Sequence, residues 1–195
     1  MKKENPYGIV VIGSSWGGLK ALSNILSKMP ADTATPILVV QHQHKNSEGL
    51  LTSILKQRTA LRVHEGEEKE IIEPGCVYLA PAGYHMLVES DGSLSLSTDE
   101  LINYSRPSVD VLFESAAEVY RSKTIGVILT GANNDGALGI KKIKEFGGLT
   151  IVQDPKTAEA DSMPKAAIKA TEIDHIETLE NIADLLIKYT SGSKT

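Results

Sequence analysis

Residues 10–18 read VVIGSSWGG, and the reading of this stretch decides the fold. Ile9, Val10, Val11 and Ile12 form an uninterrupted apolar run that stops at Gly13. Short runs of this kind belong to strands buried on both faces of a parallel sheet. Beyond Gly17 and Gly18, Leu19, Leu22, Ile25, Leu26 and Met29 recur at helical spacing until Pro30 stops the pattern. Strand, glycine turn and helix in succession hold one side chain up at the carboxyl edge of a sheet, and here that side chain is Ser15. Gly13-Ser14-Ser15-Trp16-Gly17 fits G-x-S-x-G, in which glycines flank a nucleophile because the turn leaves no room for side chains. The amides and positive end of the following helix are aimed at the same place.

Working outward, the same alternation continues. Residues 37–40 give a second buried strand, ending in Gln41-His42-Gln43-His44, and Ser47 is placed to cap a helix with Leu50, Leu51, Ile54 and Leu55 on its apolar face. Residues 61–63 suggest a short strand, and residues 64–73 an acidic, solvated connection. Residues 77–80 form a third buried strand. Residues 86–89 and 94–97 flank Asp91-Gly92, a hairpin signal. Ser108 is placed to cap a helix through Val109, Leu112, Phe113, Ala116 and Tyr120. Residues 125–129 form a fourth buried strand, followed by a second glycine-bounded turn, TGANNDG at 130–136, and a helix closed by Gly147-Gly148. A strand over 149–153, a polar loop, a helix starting at Pro164 and a last helix capped by Thr178 complete the chain. The pattern predicts an α/β fold: a doubly wound, mostly parallel sheet with helices on both faces and an antiparallel β-hairpin at one edge.

The 195 residues are read as one domain, with a core over about 7–189 and a frayed tail at 190–195. A net charge of −5 and a pI near 5.6 argue against a nucleic-acid partner. The single cysteine, Cys76, excludes an internal disulfide and reads as a small core residue. No signal peptide or membrane-length apolar span is present, so the expectation is a cytoplasmic chain without membrane insertion.

In doubly wound sheets the site lies outside the carboxyl ends of the strands. Ser15, His42, the 81–85 loop and the 133–136 loop all fall on that rim. A serine hydroxyl needs a neutral imidazole to take its proton and an acid to fix the tautomer of that imidazole. His42 is the first choice as base because it directly ends the strand next in sequence to the Ser15 unit. His44 lies further into the loop, His85 follows a strand end and lines a candidate pocket, and His64 and His175 read as surface residues. His42 with His44 also has metal-ligand spacing, but no carboxylate partner stands at a known spacing, so no metal is expected. Asp135 is the first choice as acid, with a helix-capping role as the alternative; Asp110 and Asp154 are weaker choices. The order Ser, His, Asp differs from the Ser, acid, His order of common α/β-hydrolases. A dinucleotide cradle is disfavoured because Ser15 stands where the second glycine of G-x-G-x-x-G would be.

Taken together, IGSSWGG, VVQH, YLAPAGYHMLV, SRPSVDVLF, ILTGANNDGALG, GGLTIVQD and MPKAAI resemble the CheB-type protein-glutamate methylesterases over about residues 7–186. The resemblance implies a Ser15, His42, Asp135 triad that needs no cofactor. It also implies a cleft bordered by Arg106 and by the loop reaching His85. The substrate partner would be the cytoplasmic helical bundle of a methylated chemoreceptor, with glutamine deamidation as a related activity. Three departures stand out. Trp16 replaces the Thr or Ala frequent after the nucleophile. Ala132-Asn133 replaces a frequent Met-Gly, with the Ala132 amide still available to an oxyanion and Asn133 expected to tolerate a left-handed backbone. The chain also starts at the esterase strand, so control by a receiver of its own is not expected, and constitutive activity and control by a separate response-regulator partner both stay open.

Overall fold

In the computed structural model, which describes residues 6–42 and 49–190, the apolar runs become the strands of one parallel sheet. β1 (Ile9–Ser14), β2 (Ile37–Gln41), β3 (Arg62–Glu65), β4 (Cys76–Leu79), β7 (Thr124–Ile128), β8 (Leu149–Gln153) and β9 (His175–Glu177) are arranged in the order β3-β4-β2-β1-β7-β8-β9. β2 and β7 flank β1 on opposite sides, so the winding reverses between β1 and β7. The crevice at such a switch point is where open α/β sheets bind ligands.

Side chains alternate along the strands and build two cores. Val10, Ile12, Ile37, Val39, Val127 and Ile151 face one way. They are covered by α1 (Gly18–Leu26), α2 (Leu50–Lys56) and α6 (Leu179–Thr190). Ile9, Val11, Leu38, Val40, Ile128 and Val152 face the other way. They are covered by α3 (Val109–Tyr120), α4 (Ala137–Glu145) and α5 (Ser162–Ala170). Removal of each such aliphatic side chain from water contributes about 1.5–3 kcal/mol. Gly13 lets α3 close on β1, because a Cβ there would strike the side chain of Val109. The start of α3 therefore sits directly over the carboxyl end of β1.

The hairpin signalled by Asp91-Gly92 is present as β5 (His85–Val88) and β6 (Leu94–Ser97). It forms its own two-stranded sheet rather than extending the edge of the large one. Met86, Val88 and Leu94 tuck into the α3 core, and that burial holds it off the strand edge. The 64–73 stretch is more than a solvated connection. His64 and Glu65 belong to β3, Ile71 bridges to Ser93, and His64 Nε2 lies 2.6 Å from Glu70 Oε1 with its ring packed on Tyr78. Thr190 is not frayed but buried, its hydroxyl donating to Leu186 O at 2.7 Å. α5 begins two residues before Pro164, which leaves the proline in the first turn, where its missing N–H costs no helical bond. The expected Ser47 cap and the end of the tail lie outside the described residues; α2 starts after Gly49. Among the described residues no helix is long and apolar enough to cross a membrane.

Candidate active site

β1 ends at Ser14, and register pairs Ser14 with Gln41 on β2. Ser14 Oγ donates to Gln41 Oε1 at 2.7 Å, which fixes the orientation of that amide. Gln41 Nε2 then donates to the carbonyl oxygens of both Ser15 and His42, each at 2.8 Å. One side chain thus clamps the Ser15 turn to the first residue after β2. The turn needs a left-handed residue, and this is Gly17 (φ 79°) rather than Ser15. Thr130 ties the turn to the loop after β7: its carbonyl accepts from Ser15 N at 3.0 Å and its hydroxyl donates to Trp16 O at 2.9 Å. Among the described residues, the amides of Trp16 and Ala132 have no hydrogen-bond partner, and neither does Ser15 Oγ.

His42 Nε2 lies 2.7 Å from Asp135 Oδ2. Asp135 is 1% exposed and takes three further hydrogen bonds. Val109 N donates to Oδ2 at 2.7 Å, Ser108 Oγ to Oδ1 at 2.8 Å and Asp110 N to Oδ1 at 3.1 Å. Asp135 is therefore a helix cap, but of the neighbouring α3 rather than of α4, the helix it precedes. Burial pushes its carboxyl up. The His42 hydrogen bond and the two α3 amides outweigh burial and hold it below its ordinary value. An ionised carboxylate at the positive end of a helix suits the task of orienting and supporting an imidazole. Ser108 holds the cap position expected of it, yet its hydroxyl serves Asp135.

Asp110, also buried, accepts from Gly139 N on α4 at 2.7 Å and from Asn103 Nδ2 at 3.0 Å, so it joins α3, α4 and the 99–106 loop. Burial pushes it up to about 6, with the Gly139 amide opposing and the charge of Asp135 adding. Asp154 lies away from these contacts, in the turn after β8, where its Oδ1 accepts from Lys156 N.

Asn133 does not take the left-handed backbone expected of it. Its side chain turns in instead, with Oδ1 accepting from Asp135 N at 3.2 Å and Nδ2 lying 3.1 Å from His42 Nδ1. A cleft of about 1070 Å³ opens over Ser15, His42, Ala132 and Asn133. Trp16, 66% exposed, and Tyr104, 97% exposed, stand on its walls. Lys20, Arg58 and Arg106 line it with no carboxylate among the described lining residues, in a chain of net charge −5. Arg106 is braced by Thr98 O and Asp99 O. His85 is not on this wall. It is buried, accepting from Ser108 N and bonded to Glu100 O, so it supports α3 from behind and lines a separate cavity of about 420 Å³. His44 lies outside the described residues.

Two contributors, Gln41 and Ser108, were not singled out by the sequence argument. The only sequence signal for Gln41 is its place beside His42 at a strand end. Ser108 reads locally as a cap for its own helix.

A family model described as CheB methylesterase matches residues 10–186. A Leptospira interrogans protein, provisionally named protein-glutamate methylesterase/protein-glutamine glutaminase, is 52% identical over 96% of this chain and 97% of its own length. A Carboxydothermus hydrogenoformans protein-glutamate methylesterase/protein-glutamine glutaminase is 44% identical over 93% of this chain but only 55% of its own length. The crystal structure of the Thermotoga maritima CheB methylesterase catalytic domain superposes with a TM-score of 0.90 at 38% identity. The match covers 93% of this chain and 98% of that one.

Proposed function

Because the chain belongs to the CheB methylesterase family, we propose that it hydrolyses γ-glutamyl methyl esters on a chemoreceptor, releasing methanol. Ser15 Oγ attacks the ester carbonyl carbon while its proton passes to His42. The tetrahedral oxyanion is met by the amides of Trp16 and Ala132, which have no partner among the described residues. Loss of one such donor typically lowers the rate about a hundredfold to a thousandfold. Collapse breaks the bond to methoxide, which takes the proton from His42 and leaves as methanol. Water, deprotonated by His42, then cleaves the acyl-serine to give the glutamate carboxylate and restore Ser15. Asp135 stays ionised throughout and supports the imidazolium.

The observation that carries this reading is the 2.7 Å contact between His42 and a carboxylate seated on the α3 amides, at the strand ends flanking the Ser15 turn. The cationic, aromatic-walled cleft suits a polypeptide segment with acidic side chains. The glutaminase half of the relatives' names supports a second substrate for the same machinery, a glutamine side chain whose amide leaves as ammonia. Methanol release from methylated receptor, compared between the wild type and Ser15→Ala, tests the proposal. The variant is expected to lose at least about a thousandfold in rate. Equal rates would reject Ser15 as the nucleophile. Turnover of simple esters without turnover of methylated receptor would reject the substrate.

A further inference from the structure

Asn133 sits where the proton of Ser15 has to go. Its Oδ1 accepts from Asp135 N, a group that only donates, so the end of the amide facing His42 is the NH2. That NH2 also only donates, so His42 Nδ1 carries no proton and the ring proton is on Nε2, against Asp135. An imidazole nitrogen has one in-plane lone pair. While Asn133 holds it, Ser15 Oγ–H cannot donate to it, and Ser15 Oγ has no hydrogen bond among the described residues.

We propose that Asn133 is a positioning residue that sets the His42 tautomer at rest and must release Nδ1 before Ser15 is activated. The inference rests on the serine-hydrolase reading above. At rest the amide keeps the ring turned with Nε2–H toward Asp135. During attack the Ser15 proton moves onto Nδ1, and both Asn133 protons stay on Nδ2. The new Nδ1–H would then face the NH2, donor against donor, so the amide swings clear as the charge forms. Asn133 thereby restrains the unloaded enzyme, and substrate entering the cleft, which Asn133 also lines, displaces it. Among the described residues, the charged or titratable groups around the ring are Asp135 on Nε2, Asp110 behind it on α3, and Lys20, Arg58 and Arg106 among the cleft lining.

The test is the rate of Ser15 labelling by a fluorophosphonate as a function of pH, for the wild type and Asn133→Ala, with Ser15→Ala as the blank. In Asn133→Ala the plateau rate is expected to rise roughly fivefold, the factor equivalent to one ordinary hydrogen bond. The acid limb is expected to move to higher pH by about 0.7 unit, because the donor favouring the neutral ring is gone. A plateau at or below that of the wild type, with an unmoved limb, overturns the role of Asn133. Nitrogen-15 spectra of the wild-type imidazole provide a reading that does not depend on the variant folding. They are expected to show Nε2 protonated and Nδ1 bare and accepting a hydrogen bond; a protonated Nδ1 at neutral pH overturns the proposal. Absence of wild-type labelling would instead reject the hydrolase reading on which the proposal stands.

Discussion

Asp135 and Ser15 lie at opposite ends of the proposed proton path and are built in opposite ways. The carboxylate is buried and takes four hydrogen bonds, from His42, Ser108, Val109 and Asp110. Among the described residues the hydroxyl takes none, although its backbone is held by Thr130, Gln41 and Gly18. The acid is part of the architecture, since it joins the loop after β7 to the start of α3. The proposed nucleophile is an unbonded side chain, among the described residues, on a fixed backbone. Stability and reactivity are therefore separable at this site, and substitutions at its two ends are expected to differ in kind.

The largest effect on stability is expected from Asp135→Ala. It leaves two amides, a hydroxyl and an imidazole without their acceptor, and loss of one partner of such a buried pair costs about 3–5 kcal/mol. Urea unfolding measures it, and a loss below about 1 kcal/mol would contradict the architectural role of Asp135. Gln41→Ala comes next. It releases the carbonyls of Ser15 and His42 and orphans Ser14 Oγ, for an expected loss of about 1–2 kcal/mol together with a tenfold or greater fall in methanol release. A stability loss with full activity would show that the clamp does not position the turn.

The two buried aspartates give a finer contrast through pH. Asp135 is held below its ordinary value, so it adds stability above that value and loses it only as pH falls through its lower folded value. Asp110 is raised from 3.8 to about 6, so over that window the folded state holds the extra proton and stability declines as pH rises. Unfolding of Asp110→Asn measured at pH 4 and pH 7 is expected to show less of this decline than the wild type; an identical decline would place its source elsewhere. The smallest effect is expected from Ser15→Ala, within about 0.5 kcal/mol of the wild type because no hydrogen bond of the hydroxyl is lost. A larger loss would mean that the hydroxyl has a structural partner.

The parts of this site readable from sequence are those fixed locally. The apolar run before Gly13 announces a buried strand, the glycines announce the turn, and Ser15 and His42 follow at strand ends. The remaining parts are set by register and packing. Gln41 becomes a clamp only because β1 and β2 pair Ser14 opposite it. Ser108 and Asp135 are 27 positions apart, and no local rule tells a hydroxyl at a helix start to leave its own helix for a distant carboxylate. The inward turn of Asn133 depends on where His42 lies across the sheet. The hairpin was visible from Asp91-Gly92, but its separation from the large sheet follows from the burial of Met86, Val88 and Leu94 under α3. β9, three residues at the sheet edge, is too short and too exposed to give a periodic signal.

β1 lies between β2 and β7, and 93 positions separate His42 from Asp135. A polypeptide emerging from the ribosome thus displays its hydroxyl and its imidazole long before the acid has been synthesised. The proposed hydrolytic competence would arrive late, when β7 closes beside β1 and α3 docks. Fragments truncated ahead of β7 are expected to stay inert toward a phosphonate probe, so an unfinished chain would not cut esters at random.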